Sequence, residues 1–157
     1  MNEFVAKKLG EVLAFTQVST DTYEKGKVAL TQALGAERCM DIEDKNRIHG
    51  EALMKIATDA GMIDITLAKA AKTNEKLKQM RELYVGDQWD NATELMEWSG
   101  FFEGAAIVHF ALVRGSAEGM NDETLLELAN EGVNLHYELL EMAEGELATT
   151  GQNKTTE

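Results

Sequence analysis

The chain has 157 residues and no proline, so the strongest helix breaker is missing. Ala, Leu, Glu, Met and Lys dominate instead, and this composition predicts helices. A single cysteine, Cys39, rules out a disulfide within the chain, which makes a reducing cytoplasm the expected setting and Cys39 an ordinary small apolar residue. Long hydrophobic runs are scarce. The longest, Trp98 to Val113, is too short for a bilayer and contains Glu103 and His109, so a core helix is expected there and no membrane partner. Lys7 and Lys8 stand before an apolar stretch that Glu11 and Gln17 interrupt, so no export signal is expected. No P-loop, G-x-G-x-x-G, G-x-S-x-G or C-x-x-C occurs, and the chain reads as a binding protein more than as an enzyme.

Basic residues are missing from one half only. Residues 1–85 carry 13 Lys and Arg against 13 Asp and Glu, whereas residues 86–157 carry Arg114 and Lys154 against 15 acids. The whole net charge of −13 therefore lies in the second half. Such a surface repels phosphate backbones and anionic lipids, which disfavours nucleic acid as a partner and favours basic proteins or cations.

Stop and start signals divide the chain into helical segments joined by short connections. Gly35 ends the first, which is one long helix or a pair broken near VSTDTYE, where Asp21 and Glu24 offer a new cap. The second begins at Glu37 or Asp41 and ends at Ala60-Gly61. Asp64 caps the third, which closes at Gly86, and Asn91 with Glu94 has capping-box spacing for the fourth. Arg114-Gly115-Ser116 and Gly119 are the expected end of the fourth. Asn121 or Asp122 opens the last, running to about Ala148, and residues 149–157 form a polar tail expected to be disordered. No strand pattern is present. The expected fold is an all-α up-and-down antiparallel bundle of four to five helices over residues 1–148.

The fourth segment fits a heptad face of Leu95, Trp98, Phe102, Ala105, His109 and Leu112, and the last fits Leu125, Leu128, Gly132, Leu135, Leu139 and Met142. Aromatics such as Trp98, Phe102 and Phe110 are expected to fill the core. Gly100, Gly104 and Ala105 suggest a flat face for close helix approach, and small-residue faces of this kind predict a homodimer.

Two features could carry chemistry. His49, His109 and His136 lie on three different segments, and if the fold brings them to one level with Glu103 or Glu97, they could hold a divalent transition metal such as Fe, Zn or Mn. The plainer alternative is three partly buried histidines satisfied by hydrogen bonds. Glu103 interrupts the most apolar segment but falls outside the heptad face, so a solvent-facing position is expected for it. Ferritin-like di-metal proteins place a Glu on each of two helices and Glu-x-x-His on two others. Here Asn46, Ala106 and Val133 stand three residues before the histidines, so the likeness extends to general architecture only. The expected function is a non-catalytic helical bundle that binds another protein through its acidic C-terminal half; the alternative is a divergent metal-binding bundle.

Overall fold

The computed structural model describes residues 1–156; Glu157, the last position of the expected tail, lies outside the described residues. Six helices and no strand are found among the described residues: α1 (Glu3–Lys25), α2 (Lys27–Leu34), α3 (Ala36–Asp59), α4 (Ile63–Val85), α5 (Ala92–Met120) and α6 (Glu123–Lys154). That is one more than the upper expectation, because the first segment is broken. The break falls at Gly26 and not at Asp21. Thr16, Thr20 and Thr22 return their hydroxyls to carbonyls of the preceding turn, at 2.7, 3.1 and 2.7 Å, so the polar β-branched stretch is satisfied inside α1. At Gly26 a Cβ would sit 2.8 Å from Leu95 Cδ1, and the missing side chain lets α5 approach.

Several ends follow the sequence signals. Asn2, Asn91 and Asp122 cap α1, α5 and α6 by accepting backbone N–H bonds. Gly61 and Gly86, with φ of 67° and 58°, end α3 and α4 in a conformation that a Cβ disfavours. Others differ. Asp64 lies in the first turn of α4, while Met62 takes the cap position without a side-chain bond. α5 continues through Gly115 and Gly119, because Val113 and Ala117 are buried on its inner face and packing outweighs the weak propensity of glycine. α6 continues to Lys154, so residues 149–154 of the expected tail are helical, although almost all of them are exposed.

Side-chain contacts fix the relative directions. Gln17, Asp21 and Thr22 of α1 meet Asn74, Lys78 and Arg81 of α4 in the same order, so those two helices run parallel. α3 runs opposite to α1, with Asn46 against Ser19 and Gly50 against Thr16. α5 and α6 form a hairpin in which a Cβ on Gly132 would lie 2.3 Å from the Phe110 ring.

Buried apolar residues gather in two clusters. One holds Phe15, Ile42, Trp98, Phe102 and Leu139; the other holds Leu13, Leu53, Phe110, Leu125 and Val133. Asn46 and His49 of α3 stand between the two clusters in sequence, and Glu103 of α5 and His136 of α6 stand among residues of the first, all four buried. A polar layer therefore interrupts the oily core.

Candidate functional site

The polar layer begins with Glu103, which is 3% exposed and not solvent-facing as the heptad face implied. The inner face of α5 runs Leu95, Phe102, Ala106, Phe110, Val113 and Ala117, while Ala105 and His109 lie on its half-buried flank and Leu112 turns outward. A straight helix of 3.6 residues per turn drifts about 20° per heptad from a strict seven-residue repeat, and that drift carries Glu103 inward. Leu95, Ala106 and Ala117 show the eleven-residue spacing that results.

A buried carboxylate needs a partner. His136 on α6, wholly buried, supplies it: its Nδ1 makes a very short hydrogen bond with Glu103 Oε2. The Phe110 ring lies 5.2 Å from the His136 ring, centroid to centroid. With Nδ1 turned to the carboxylate, His136 Nε2 has no hydrogen-bond partner. His49 on α3 has its ring 6.5 Å from that of Phe110, centroid to centroid, and its Nε2 is 3.7 Å from the Glu131 carboxylate. Its Nδ1 is buried and also without a partner. Burial holds the His49 pKa below the usual imidazole value, and the neighbouring His136 and Lys45 add to the effect, so His49 is neutral at pH 7. Asn46 donates to Ser19 Oγ at 3.1 Å and to the Ile42 carbonyl at 3.0 Å, leaving Oδ1 unpartnered. Tyr23 lies close enough to feel the Glu103 charge; burial first, then that charge, raise its pKa and keep the phenol neutral.

Of the five residues singled out from sequence, the fold thus joins Glu103 to His136 and sets His49 nearby. His109 stands apart from them, half-buried against α1, with its ring 5.1 Å from Phe15 and its Nε2 3.9 Å from Glu11. Burial lowers its pKa as well. Glu97 accepts a hydrogen bond from the Tyr84 hydroxyl at 3.1 Å and belongs to no histidine. Among the described residues no group of three or more His, Cys, Asp or Glu side chains is arranged to hold a metal ion. The donors that face the layer are two imidazole nitrogens and one amide oxygen. A histidine whose Nδ1 engages a carboxylate is oriented as metal-bound histidines are, with Nε2 as the ligand atom.

A second buried charge was not singled out in the sequence. Arg81 of α4 is wholly buried, donates to Thr22 Oγ1 at 2.9 Å, pairs with Asp21 at 2.7 Å and covers the Trp89 ring at 4.9 Å. Burial alone would raise the Asp21 pKa, but Arg81 and Lys78 outweigh it and hold the carboxyl below its ordinary value. Arg81 ties α1, α4 and the turn before α5 together. Its burial depends on partners outside its own helix.

Cys39 is buried in the core, where burial pushes its thiol pKa up and makes it unreactive. No described helix is long and apolar enough to cross a membrane. The fold is all-helical. No family model, no curated protein and no solved structure matches the chain.

Proposed function

We propose that the protein is a non-catalytic helical bundle of the cytoplasm that docks a basic protein surface on the acidic face of α6, and that it does so as a homodimer. The observation that supports this reading is a difference in pairing. Most acids of the first half meet ammonium or guanidinium groups, as in Glu3 with Lys7, Asp41 with Lys45 and Glu51 with Arg47. Glu123, Glu127, Glu141 and Glu144 of α6 are exposed and have no such partner. Unpaired like charges along one helix repel each other, and a cationic partner relieves that repulsion.

The test uses an immobilised Lys/Arg-rich peptide and two variants of equal net charge. Neutralising Glu123, Glu127, Glu141 and Glu144 to Gln abolishes binding, and neutralising Glu37, Asp44, Glu51 and Asp59 to the matching amides preserves it. Binding of the unmodified protein falls as salt rises. Equal loss in both variants, or binding insensitive to salt, overturns the reading.

A second reading rests on the unpartnered His136 Nε2 and His49 Nδ1: a divalent transition metal such as Zn, Fe or Mn held by His49 and His136, with Glu103 orienting the His136 ring. Elemental analysis of protein made without a His-tag tests it. One metal per chain, lost in His136→Ala, supports this reading; no metal, and no rise in melting temperature with added Zn, Fe or Mn, overturns it.

A further inference from the structure

α5 turns a second apolar face outward. Opposite its buried side, Phe101, Val108 and Leu112 are 65%, 62% and 43% exposed. On the same side lie Gly104, Gly115 and Gly119, and a Cβ added at any of them would meet nothing within 4 Å. None has positive φ. By contrast, Gly10, Gly26 and Gly132 are filled against by other helices. Glycine disfavours a helix relative to alanine, and Gly104 and Gly115 stand inside α5 where no contact within the chain and no turn requires one.

The sequence of this face is complementary to itself. If a second α5 lies antiparallel across it with Val108 opposite its own copy, Phe101 faces Gly115 and Gly104 faces Leu112. Each large side chain then meets a position without one, which is how closely packed helices interlock. Along α5 charge does not oppose the contact over most of its length, since Glu97 is the only charged residue at the centre line of this helix face, and Lys69 and Lys76 of α4 stand at its border. The extent is sufficient as well. From Glu97 to Gly119 the face is about 33 Å long at 1.5 Å per residue. Met80 and Tyr84 of α4 border it, with Tyr84 stacked 5.2 Å from Phe101, and two helices make it about 20 Å wide. Two such faces together bury about 1,300 Å², within the range of stable interfaces of about 1,200–2,000 Å².

We infer that α5 is the homodimer interface: two copies pair antiparallel through Phe101, Gly104, Val108, Leu112 and Gly115, with the two-fold axis at Val108. This rests on the homodimer in the proposed function and names its surface and register. The pairing leaves the acidic stripe of α6 free on both copies.

Sedimentation equilibrium and disulfide trapping test it, in a Cys39→Ala background that removes the native thiol. The protein sediments at twice the 17.3 kDa chain mass. Val108→Glu, at an exposed position where the helix is retained by circular dichroism, weakens the dimer at least about 30-fold. Val108→Cys cross-links to itself on oxidation. Leu112→Cys does not, but cross-links to Gly104→Cys when the two variants are mixed and exchanged. A monomer at every concentration overturns both the dimer and this surface. A dimer that survives Val108→Glu, or one in which Leu112→Cys self-links and Val108→Cys does not, overturns the surface or its register and leaves the homodimer standing.

Discussion

In the first 85 residues, charge is spent inside the chain. Glu11 sits between Lys8 and Lys69 at 3.0 and 3.1 Å, and Asp21 lies between Lys78 and Arg81 at 3.4 and 2.7 Å. In residues 86–156, α6 carries an exposed acidic row, and one carboxylate, Glu103 of α5, is buried against His136. The contrast teaches that equal helix content does not mean equal electrostatics. One half neutralises itself, and the other keeps its charge for the surface while closing a single carboxylate in the core.

The buried pairs of the two halves differ in their reserves, and mutation should expose the difference. His136→Ala leaves Glu103 buried without a counter-group and is expected to cost about 3–5 kcal/mol in urea unfolding, while Glu103→Leu with His136→Phe recovers most of that loss. Arg81→Met costs less, about 1–3 kcal/mol, because Asp21 is partly exposed and retains Lys78. Equal losses at the two sites would remove the distinction between them.

Glycine sharpens the comparison further. Gly132→Ala forces a methyl into the Phe110 ring and is expected to cost about 1–3 kcal/mol. Gly145→Ala, on the same helix with open space around it, should raise stability by about 0.5–1 kcal/mol. The two melting curves should move in opposite directions.

Acid should also act unequally. His49 and His109 have folded-state pKa values below those of the unfolded chain. Their contribution is complete above the unfolded value, near 6.5, and is lost as pH falls below it toward the folded values, because the unfolded chain binds protons first. Glu11 and Asp21, also lowered, contribute above their unfolded values and lose that contribution only at more acidic pH. Replacing His49 with Gln should flatten the decline that begins below about pH 6.5 and leave the carboxylate-linked decline at more acidic pH in place.

Much of the fold was legible in the sequence. The absence of proline, the caps at Asn91 and Asp122 and the stops at Gly61 and Gly86 gave the helical class and most of the boundaries. What escaped depended on partners distant in the chain. Glu103 could not be placed inside by a seven-residue template, since the drift of a straight helix accumulates over several turns. His136 was visible as a candidate, but its pairing with a residue 33 positions away appears only when α5 and α6 fold back on each other. Arg81 drew no attention in the sequence, because its burial needs Asp21 of α1 and Trp89 of the turn before α5. The glycines of α5 and α6 look alike in sequence, and only packing separates Gly132, which a ring fills, from Gly104, which faces outward.

The division of charge is tested most directly by melting temperature against salt, for the unmodified protein and for the variant with Glu123, Glu127, Glu141 and Glu144 changed to Gln. If the acids of α6 repel one another unpaired, salt raises the melting temperature of the first, while the second begins higher and responds little. A melting temperature that falls with salt, or an unchanged response in the variant, would contradict it.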